Sequence, residues 1–131
     1  MKIKITGVGS YIPEISVENT DFDQHVFLNE DGTPFGYPND VIIGKFKGIT
    51  GIDKRRYAAP DQCSSDLAFL ASQKAIENAE IDPETIDYII FAHNFGDVKT
   101  GTTQSDILPS LATRVKHKLQ IKNPKCVAYD I

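Results

Sequence analysis

The sequence contains one nearly continuous apolar run, DYIIFAH, over residues 87–93. A run of this kind is typical of a strand in the middle of a parallel sheet, because both faces of such a strand are covered. A second β run, KCVAYDI, occupies residues 125–131, and a helical pattern over 109–119 lies between the two. Strands that alternate with helices in this way predict an α/β layer with a parallel sheet.

Periodicity and capping residues predict the remaining elements. The strongest helix is 64–80, with Ser64 or Ser65 as its cap and many alanines on one face, which suggests close packing against a sheet. Before this helix we predict a strand over 2–9 with Ile3 and Ile5 toward the core, a short helix capped by Asn19 or Thr20, and an irregular loop over 29–39. A helix over 40–47, capped by Asn39 and stopped by Gly48, and a connection or short strand over 49–60 follow. After the helix we predict a turn at Asp82-Pro83, a polar loop over 94–107, and a helix over 109–119 that buries Leu111, Ala112, Val115 and Leu119.

Composition narrows the class of protein. With 131 residues, 40% apolar and 24% charged, the chain is expected to form one globular domain over residues 1–131. A net charge of −4 argues against a nucleic-acid partner. The alternating N-terminus and the lack of a long apolar run predict a cytoplasmic protein with no membrane partner. Two cysteines cannot form a disulfide framework.

Few residues stand out as candidates for ligand binding, catalysis or metal binding. The pair Gly7 and Gly9 invites a nucleotide-loop interpretation, but the third glycine position is Ile12, so a turn is favoured. Cys63 precedes a helix and could be a thiolate, although a structural, half-buried cysteine is favoured. Cys126 lies in a predicted strand and is expected to be inert. Neither cysteine has the spacing of a metal ligand, so no metal site is predicted.

The remaining candidate functional residues are the histidines and a cluster of basic side chains. His93 ends a predicted strand, where it could reach a ligand, although an ordinary loop contact is favoured. His25 and His117 are expected to be solvated. A basic cluster of five cations falls within 12 residues, and it consists of Lys45, Lys47, Lys54, Arg55 and Arg56. The cluster could hold a phosphate or an acidic protein, but composition alone favours a solvated surface with local salt bridges.

Four groups of segments are distinctive when they are taken together: ITGVGSYIPE (5–14), TGIDKRRYAAPD (50–61), SSDLA with ASQKAIENAEIDPETIDYIIFA (64–92), and LPSLATRVKHKLQIKN with VAYDI (108–131). In order and spacing they resemble the N-terminal part of a β-ketoacyl-ACP synthase III, a condensing enzyme of the thiolase superfamily. The resemblance implies a thiolase-like α/β fold, of which residues 1–131 are the truncated N-terminal half. The mostly parallel sheet, flanked by helices, would then be incomplete in this chain.

The same resemblance implies a decarboxylative Claisen condensation of an acyl-CoA or acyl-ACP with malonyl-ACP, in fatty acid or related acyl-chain biosynthesis. The nucleophilic Cys is expected just after Ile131, and the His and Asn that stabilise the enolate in the missing half. Residues 1–131 then hold no catalytic residue and are expected to be inactive alone. No cofactor is implied, since CoA and ACP thioesters are substrates. The implied partners are acyl carrier protein, acyl-CoA and a second subunit.

Two alternatives remain open: an enzyme resembling hydroxymethylglutaryl-CoA synthase, and a non-catalytic protein that binds an acyl carrier. The continuation of the reading frame after Ile131 would separate the catalytic from the non-catalytic interpretation.

Site residues follow from the resemblance position by position. The CoA and ACP contacts would be Lys45, Phe46, Ile49, Lys54, Arg55 and Arg56. Lys45 and Ile49 stand where the family often has a Trp and an Arg, and Phe46 is the nearest aromatic residue. Leu108, before Pro109, would reach the acyl pocket of the partner subunit in a homodimer. The stretches 29–39 and 94–107 are longer than in the fatty-acid enzymes.

Overall fold

The structure is a computed structural model, and it describes residues 2–131. The chain divides into two compact units. One is Pro13–Tyr57, and the other combines the residues up to Ile12 with Ala58–Ile131.

In the 13–57 unit, strand β1 (Ile15–Glu18) pairs antiparallel with strand β2 (Lys54–Tyr57). Strand β2 confirms the short strand predicted within 49–60, whereas β1 was not predicted. The short helix predicted to begin at Asn19 or Thr20 is a single 3₁₀ turn, Asn19–Phe22. Its cap is Glu18, whose backbone N–H donates to the Asp21 carboxylate at 2.7 Å. The cap therefore lies one residue before Asn19, the earlier of the two predicted caps, and Asp21 is its hydrogen-bond partner.

Helix α1 (Asn39–Thr50) is longer than the predicted 40–47. Gly48 was wrong as the stop, because the helix continues to Gly51, which has a φ of 66° and donates its N–H to the Lys47 carbonyl at 2.8 Å. Asn39 was also wrong as the cap, since Pro38 holds that position. The Asn39 amide instead donates to the carbonyls of Asp23 and His25 at 2.8 and 2.7 Å, which ties α1 to the chain before it.

The predicted parallel pair forms the centre of the other unit. Strand β3 (Tyr88–Phe91) and strand β6 (Val127–Asp130) pair in parallel, and helix α3 (Leu111–Lys118) packs against both. Leu111, Ala112 and Val115 of α3 are buried, as predicted, because they repeat on the helix face that covers the strands. Leu119 was wrong as the fourth buried residue, since it is only half-buried and lies just after the helix ends. The buried thiol of Cys126 is likewise confirmed as part of this core.

Helix α2 (Ser64–Ala79) matches the strongest prediction except at its start. Cys63 rather than Ser64 or Ser65 is the cap, and its N–H donates to the Asp66 carboxylate at 2.8 Å. A second 3₁₀ turn, Pro83–Thr85, follows, where Asp82 accepts from the Glu84 N–H at 3.0 Å. This is the predicted turn at Asp82-Pro83.

The strand predicted over residues 2–9 was wrong. Residues 2–12 contain no helix or strand, and Ile3 and Ile5 are 83% and 80% exposed. A strand requires a partner for its backbone, and no strand among residues 2–131 pairs with this segment. The segment packs instead on α2: a Cβ on Gly7 would lie 2.6 Å from the Ala75 carbonyl oxygen. A Cβ on Gly9 would overlap the backbone of Ala71 and Ala75.

The two glycines are therefore required for close approach to a helix, and neither a turn nor a nucleotide loop accounts for them. The alanines of α2 do pack closely, as predicted, but against this glycine segment.

A small hairpin occupies the predicted polar loop over 94–107. Strand β4 (Asp97–Val98) pairs antiparallel with strand β5 (Ser105–Asp106). Within residues 2–131 the strands form three two-stranded sheets, one parallel and two antiparallel, so the chain has a mixed α/β fold with small, incomplete sheets. In residues 2–131 we find no helix that is both long enough and apolar enough to cross a bilayer.

Candidate functional site

Three of the predicted binding residues line one hollow in the 13–57 unit. Lys45, Phe46 and Ile49 project from α1 into a mainly apolar hollow of about 310 Å³. The facing wall comes largely from the chain before α1, and the other lining residues are Asn29, Phe35, Gly36, Tyr37 and Ile42. Helix α1 presents the three predicted residues together, because residue 49 is four positions after 45 and three positions after 46.

Phe35 and Tyr37 were missed by the sequence analysis, which treated 29–39 only as an irregular loop. The Lys45 ammonium lies 4.6 Å from the centroid of the Tyr37 ring, so a cation and an aromatic face sit side by side at this hollow. The available signal was the pair of aromatic residues on either side of Gly36, immediately before a helix. The aromatic surface that Lys45 itself lacks is therefore supplied by the preceding loop.

Arg55 occupies a different position from the rest of the basic cluster. It is half-buried, its guanidinium lies 5.9 Å from the Phe22 ring centroid, and it donates to the Asn19 side-chain oxygen at 3.0 Å. A second hollow of about 240 Å³ lies beside it, and Phe46 lines both hollows. Arg55 thus has an internal structural role in addition to any contact with a ligand.

The other cations are divided between local pairs and open solvent. Lys47 forms an exposed ion pair with Asp53 at 2.5 Å, and this hydrogen bond raises the pKa of Lys47. Arg56 donates to the Glu14 carbonyl at 3.0 Å. Lys45 and Lys54 are exposed. The structure therefore brings Lys45, Phe46 and Ile49 together and leaves Lys54 and Arg56 on the strand β2.

Leu108 lies in the other unit and is 81% exposed. Its backbone is nevertheless held at both ends: its N–H donates to Asp106 at 3.3 Å, and its carbonyl accepts from Arg114 at 3.0 Å. Arg114, on α3, also pairs with the carboxylates of Asp97 and Asp106 at 2.9 and 2.7 Å. This arrangement was missed by the sequence analysis, because the three charged residues come together only through the fold.

Cys63 borders a hollow of about 720 Å³ in this unit, which is lined mostly by polar residues. Burial raises the pKa of the Cys63 thiol, and the negative charges of Asp97 and Asp66 raise it further. A thiol with a raised pKa is a poor nucleophile. The raised pKa therefore favours the structural interpretation of this cysteine.

His93 makes a loop contact of the kind that was favoured. Its Nδ1 accepts from the Gly96 N–H at 2.9 Å, which leaves the proton on Nε2 to be donated to Asp130 at 3.0 Å. Asp130 also accepts from the N–H groups of Leu111 and Ala112 at the start of α3, at 2.7 and 2.8 Å. Burial raises the pKa of Asp130, but these two N–H donors and His93 outweigh it and hold the pKa below its ordinary value.

Within residues 2–131, no three His, Cys, Asp or Glu side chains are placed to hold a metal ion together.

No protein-family model matches the sequence. Solved structures do match it. The β-ketoacyl-[acyl carrier protein] synthase III of Thermus thermophilus is 28% identical, with a TM-score of 0.67 over 97% of this chain and 32% of its own. The 3-oxoacyl-[acyl-carrier-protein] synthase III of Aquifex aeolicus VF5 is 27% identical, with a TM-score of 0.65 over 98% of this chain and 34% of its own. The chain has the fold of the N-terminal part of a thiolase-like synthase.

A third match, the priming β-ketosynthase of the R1128 polyketide biosynthetic pathway, shares this thiolase-like fold at 24% identity and a TM-score of 0.67. The match covers 98% of this chain and 31% of that synthase. The chain thus spans about a third of the length of the thiolase-like synthases it matches. The resemblance to β-ketoacyl-ACP synthase III in the sequence motifs is confirmed by these structures.

Proposed function

We propose that the complete protein condenses an acyl thioester, carried by CoA or ACP, with malonyl-ACP in fatty acid or related acyl-chain biosynthesis. The observation that carries this proposal is the likeness of 97–98% of the chain to two synthases of type III at 27–28% identity. We further propose that the protein acts in the cytoplasm as a homodimer, with Leu108 at the acyl pocket of the partner subunit.

In the proposed reaction, a Cys outside residues 1–131 attacks the thioester carbon, and the CoA or ACP thiol leaves as the acyl group is transferred. Malonyl-ACP then loses carbon dioxide, and the resulting enolate carbon attacks the enzyme-bound acyl group and releases the Cys. A His and an Asn, also outside these residues, stabilise the enolate oxygen. Residues 1–131 supply structure and binding surface, and we propose that they do not catalyse condensation alone.

The hollow beside α1 supports a thioester-binding role. A CoA or ACP thioester combines phosphate charge with an extended, partly apolar arm, and CoA adds an adenine ring. The apolar lining with Phe46 and Ile49 suits the arm, the Tyr37 ring offers an aromatic face, and Lys45 offers a charge for a phosphate. Lys54, Arg55 and Arg56 add positive charge on β2 for an acidic carrier protein.

The binding proposal is tested with Lys45→Glu and Lys54→Glu combined in the complete protein. We expect weaker binding of acyl-ACP and a flatter dependence of that binding on salt, because two attractive charges become repulsive. The matched control is Lys122→Glu with Lys125→Glu, two exposed lysines in the other unit, which changes the net charge equally. If acyl-ACP affinity and its salt dependence both stay at the level of the control, the cluster is an ordinary solvated surface.

The reaction itself is tested by product analysis of the complete protein with acyl-CoA and malonyl-ACP. We expect carbon dioxide and a 3-oxoacyl-ACP. In a parallel assay with acetyl-CoA and acetoacetyl-CoA, a hydroxymethylglutaryl thioester formed without carbon dioxide release would favour the alternative synthase. Binding of acyl-ACP without turnover in either assay would favour a non-catalytic carrier-binding protein. Carbon dioxide release by residues 1–131 alone would contradict their proposed inactivity.

A further inference from the structure

Leu108 combines an exposed apolar side chain with a backbone that is fixed on both sides. The Leu108 N–H donates to Asp106 Oδ1, and the same oxygen accepts from Arg114 Nη2 at 2.7 Å. Arg114 Nη2 also donates to the Leu108 carbonyl, and Arg114 Nε donates to the Pro109 carbonyl at 3.0 Å. Arg114 and Asp106 together therefore hold the peptide groups on both sides of the Leu108 side chain.

We call the hydrogen bonds that Arg114 and Asp106 make with this segment the Leu108 clasp. The clasp is anchored to two helices. Arg114 belongs to α3, and its Nη1 donates to Asp97, which is 5% exposed. Asp97 in turn accepts from the backbone N–H and the hydroxyl of Ser65 in the first turn of α2, at 2.8 and 2.6 Å. Because charge-assisted hydrogen bonds are strong and directional, the segment that carries Leu108 cannot shift without breaking several of them.

Position 114 requires an arginine to make all of these hydrogen bonds. Its planar fork reaches acceptors in several directions from a single point, whereas a lysine ammonium at the same place is a compact charge that cannot span them. The hydrogen bond from Arg114 lowers the pKa of Asp106, so Asp106 remains an acceptor for the Leu108 N–H near neutral pH.

We propose that Arg114 is a positioning residue which fixes Leu108 as a rigid apolar stop and thereby sets the length of acyl chain that is accepted. The inference rests on the proposed function, in which Leu108 borders the acyl pocket. An apolar group held in place before binding loses little freedom when a ligand packs against it. A mobile leucine, by contrast, can move away from a longer chain, and discrimination by length is then lost.

The test uses Arg114→Lys, which keeps the charge and removes the fork. Its control is Lys118→Met, which removes another ion-paired cation of α3, one that bonds to Asp66 and not to the Leu108 segment. The first measurement is amide hydrogen exchange at Leu108. We expect exchange at least about tenfold faster in Arg114→Lys and unchanged in Lys118→Met, because the clasp protects that amide.

The second measurement is kcat/KM of the complete protein for a series of acyl-CoA and acyl-ACP donors that differ by two carbons. An apolar pocket discriminates one methylene by about 10–200-fold. We expect Arg114→Lys to reduce the ratio between the longest accepted donor and the next by about tenfold or more. Leu108→Ala should move the cut-off to longer donors. If Arg114→Lys does not fold, Asp106→Asn, which keeps the side-chain shape, is measured in its place.

The outcomes distinguish failure of the clasp, of the role in specificity and of the proposed function. Unchanged Leu108 exchange in Arg114→Lys overturns the clasp, and faster exchange with an unaltered length profile overturns the role in specificity. If the complete protein condenses no donor, the proposed function fails and the role in specificity fails with it. An active enzyme with a sharp cut-off in Arg114→Lys overturns the present inference alone.

Discussion

Asp130 joins three elements through one carboxylate. It ends β6, it accepts from the first two N–H groups of α3, and it accepts from His93 beyond the end of β3. Those N–H groups have no partner within their own helix, and the positive end of the helix dipole favours the anion. The carboxylate therefore fixes where α3 begins relative to the two parallel strands.

We expect Asp130→Asn to lower the free energy of unfolding by about 2 kcal/mol near pH 7, because hydrogen bonds to a charged acceptor contribute about 1.5–3 kcal/mol. The folded pKa of Asp130 is lowered, so its contribution is fully present above the unfolded value of about 3.9 and is lost as pH falls through the folded pKa. The stability difference between the two proteins should consequently shrink below about pH 4. Urea unfolding from pH 7 to pH 2 measures this difference.

Asp61→Asn, at an exposed carboxylate, is the control for the general effect of removing one charge. A difference between wild type and Asp130→Asn that stays constant down to pH 2 would show that the carboxylate charge does not stabilise α3.

Single residues differed in how far their roles could be predicted. The burial of Leu111, Ala112 and Val115 follows from spacing along one helix, which is a local property. The cap at Cys63 was missed because a thiol is not a usual capping group, although Asp66 three residues later was visible. Arg114 was missed because its partners at 97 and 106 approach it only in the folded chain.

The parallel pair of strands is held at its entrance by Glu84. This side chain, in the turn before β3, accepts from the N–H groups of Lys122 and Asn123 at 2.9 and 2.7 Å, just before β6. The Asn123 amide donates back to the Glu84 carbonyl at 3.0 Å. The chain segments that enter the two strands are thereby aligned before the strands begin to pair.

We expect Glu84→Gln to weaken this alignment, because a neutral amide group replaces one of the two charged acceptor oxygens that hold the N–H groups of Lys122 and Asn123. The sensitive probe is hydrogen exchange of the Val127 amide, which donates to the Asp87 carbonyl at 2.8 Å. Exchange should be several-fold faster in Glu84→Gln.

Glu80→Gln, at an exposed residue in the C-terminal cap of α2, removes the same charge without touching the strands. Equal exchange rates at Val127 in the two variants would show that Glu84 does not set the alignment.

Elements were predictable where their signal is contained in their own sequence. The apolar run at 87–93 and the alanine-rich face of 64–80 specify a strand and a helix almost without reference to the rest of the chain. The segment 2–9 has the alternation of a strand, but a strand also requires a partner, and alternation cannot reveal whether one exists. The hairpin at 97–106 was missed for the opposite reason, because two-residue strands leave no period to detect.

An exposed apolar surface lies on the parallel pair of strands. Tyr88 and Ile90 of β3 stand opposite Val127 and Tyr129 of β6, all on the face that points away from α3, and all four are exposed. Contiguous apolar patches of this kind mark surfaces that bind another protein surface or cause association.

We expect the 131-residue chain to self-associate through this face at micromolar concentrations. Ile90→Lys should reduce the average mass seen by sedimentation equilibrium toward that of one chain, since a charge at the centre of the face must be desolvated on association. Ile90 is 53% exposed, and the control Leu28→Lys changes a residue of matched exposure, 54%, in the other unit. Association that persists in Ile90→Lys and disappears in Leu28→Lys would assign it to a different surface.

The seam between Gly7, Gly9 and the alanines of α2 also constrains how such a chain can diverge in evolution. A side chain cannot be added at either glycine unless α2 moves away, and a larger residue at Ala79, whose Cβ faces Gly7, meets the same obstacle from the other side. Substitutions at these positions, more than sixty residues apart, must therefore be inherited together or not at all. An alignment of related chains should show position 7 covarying with position 79.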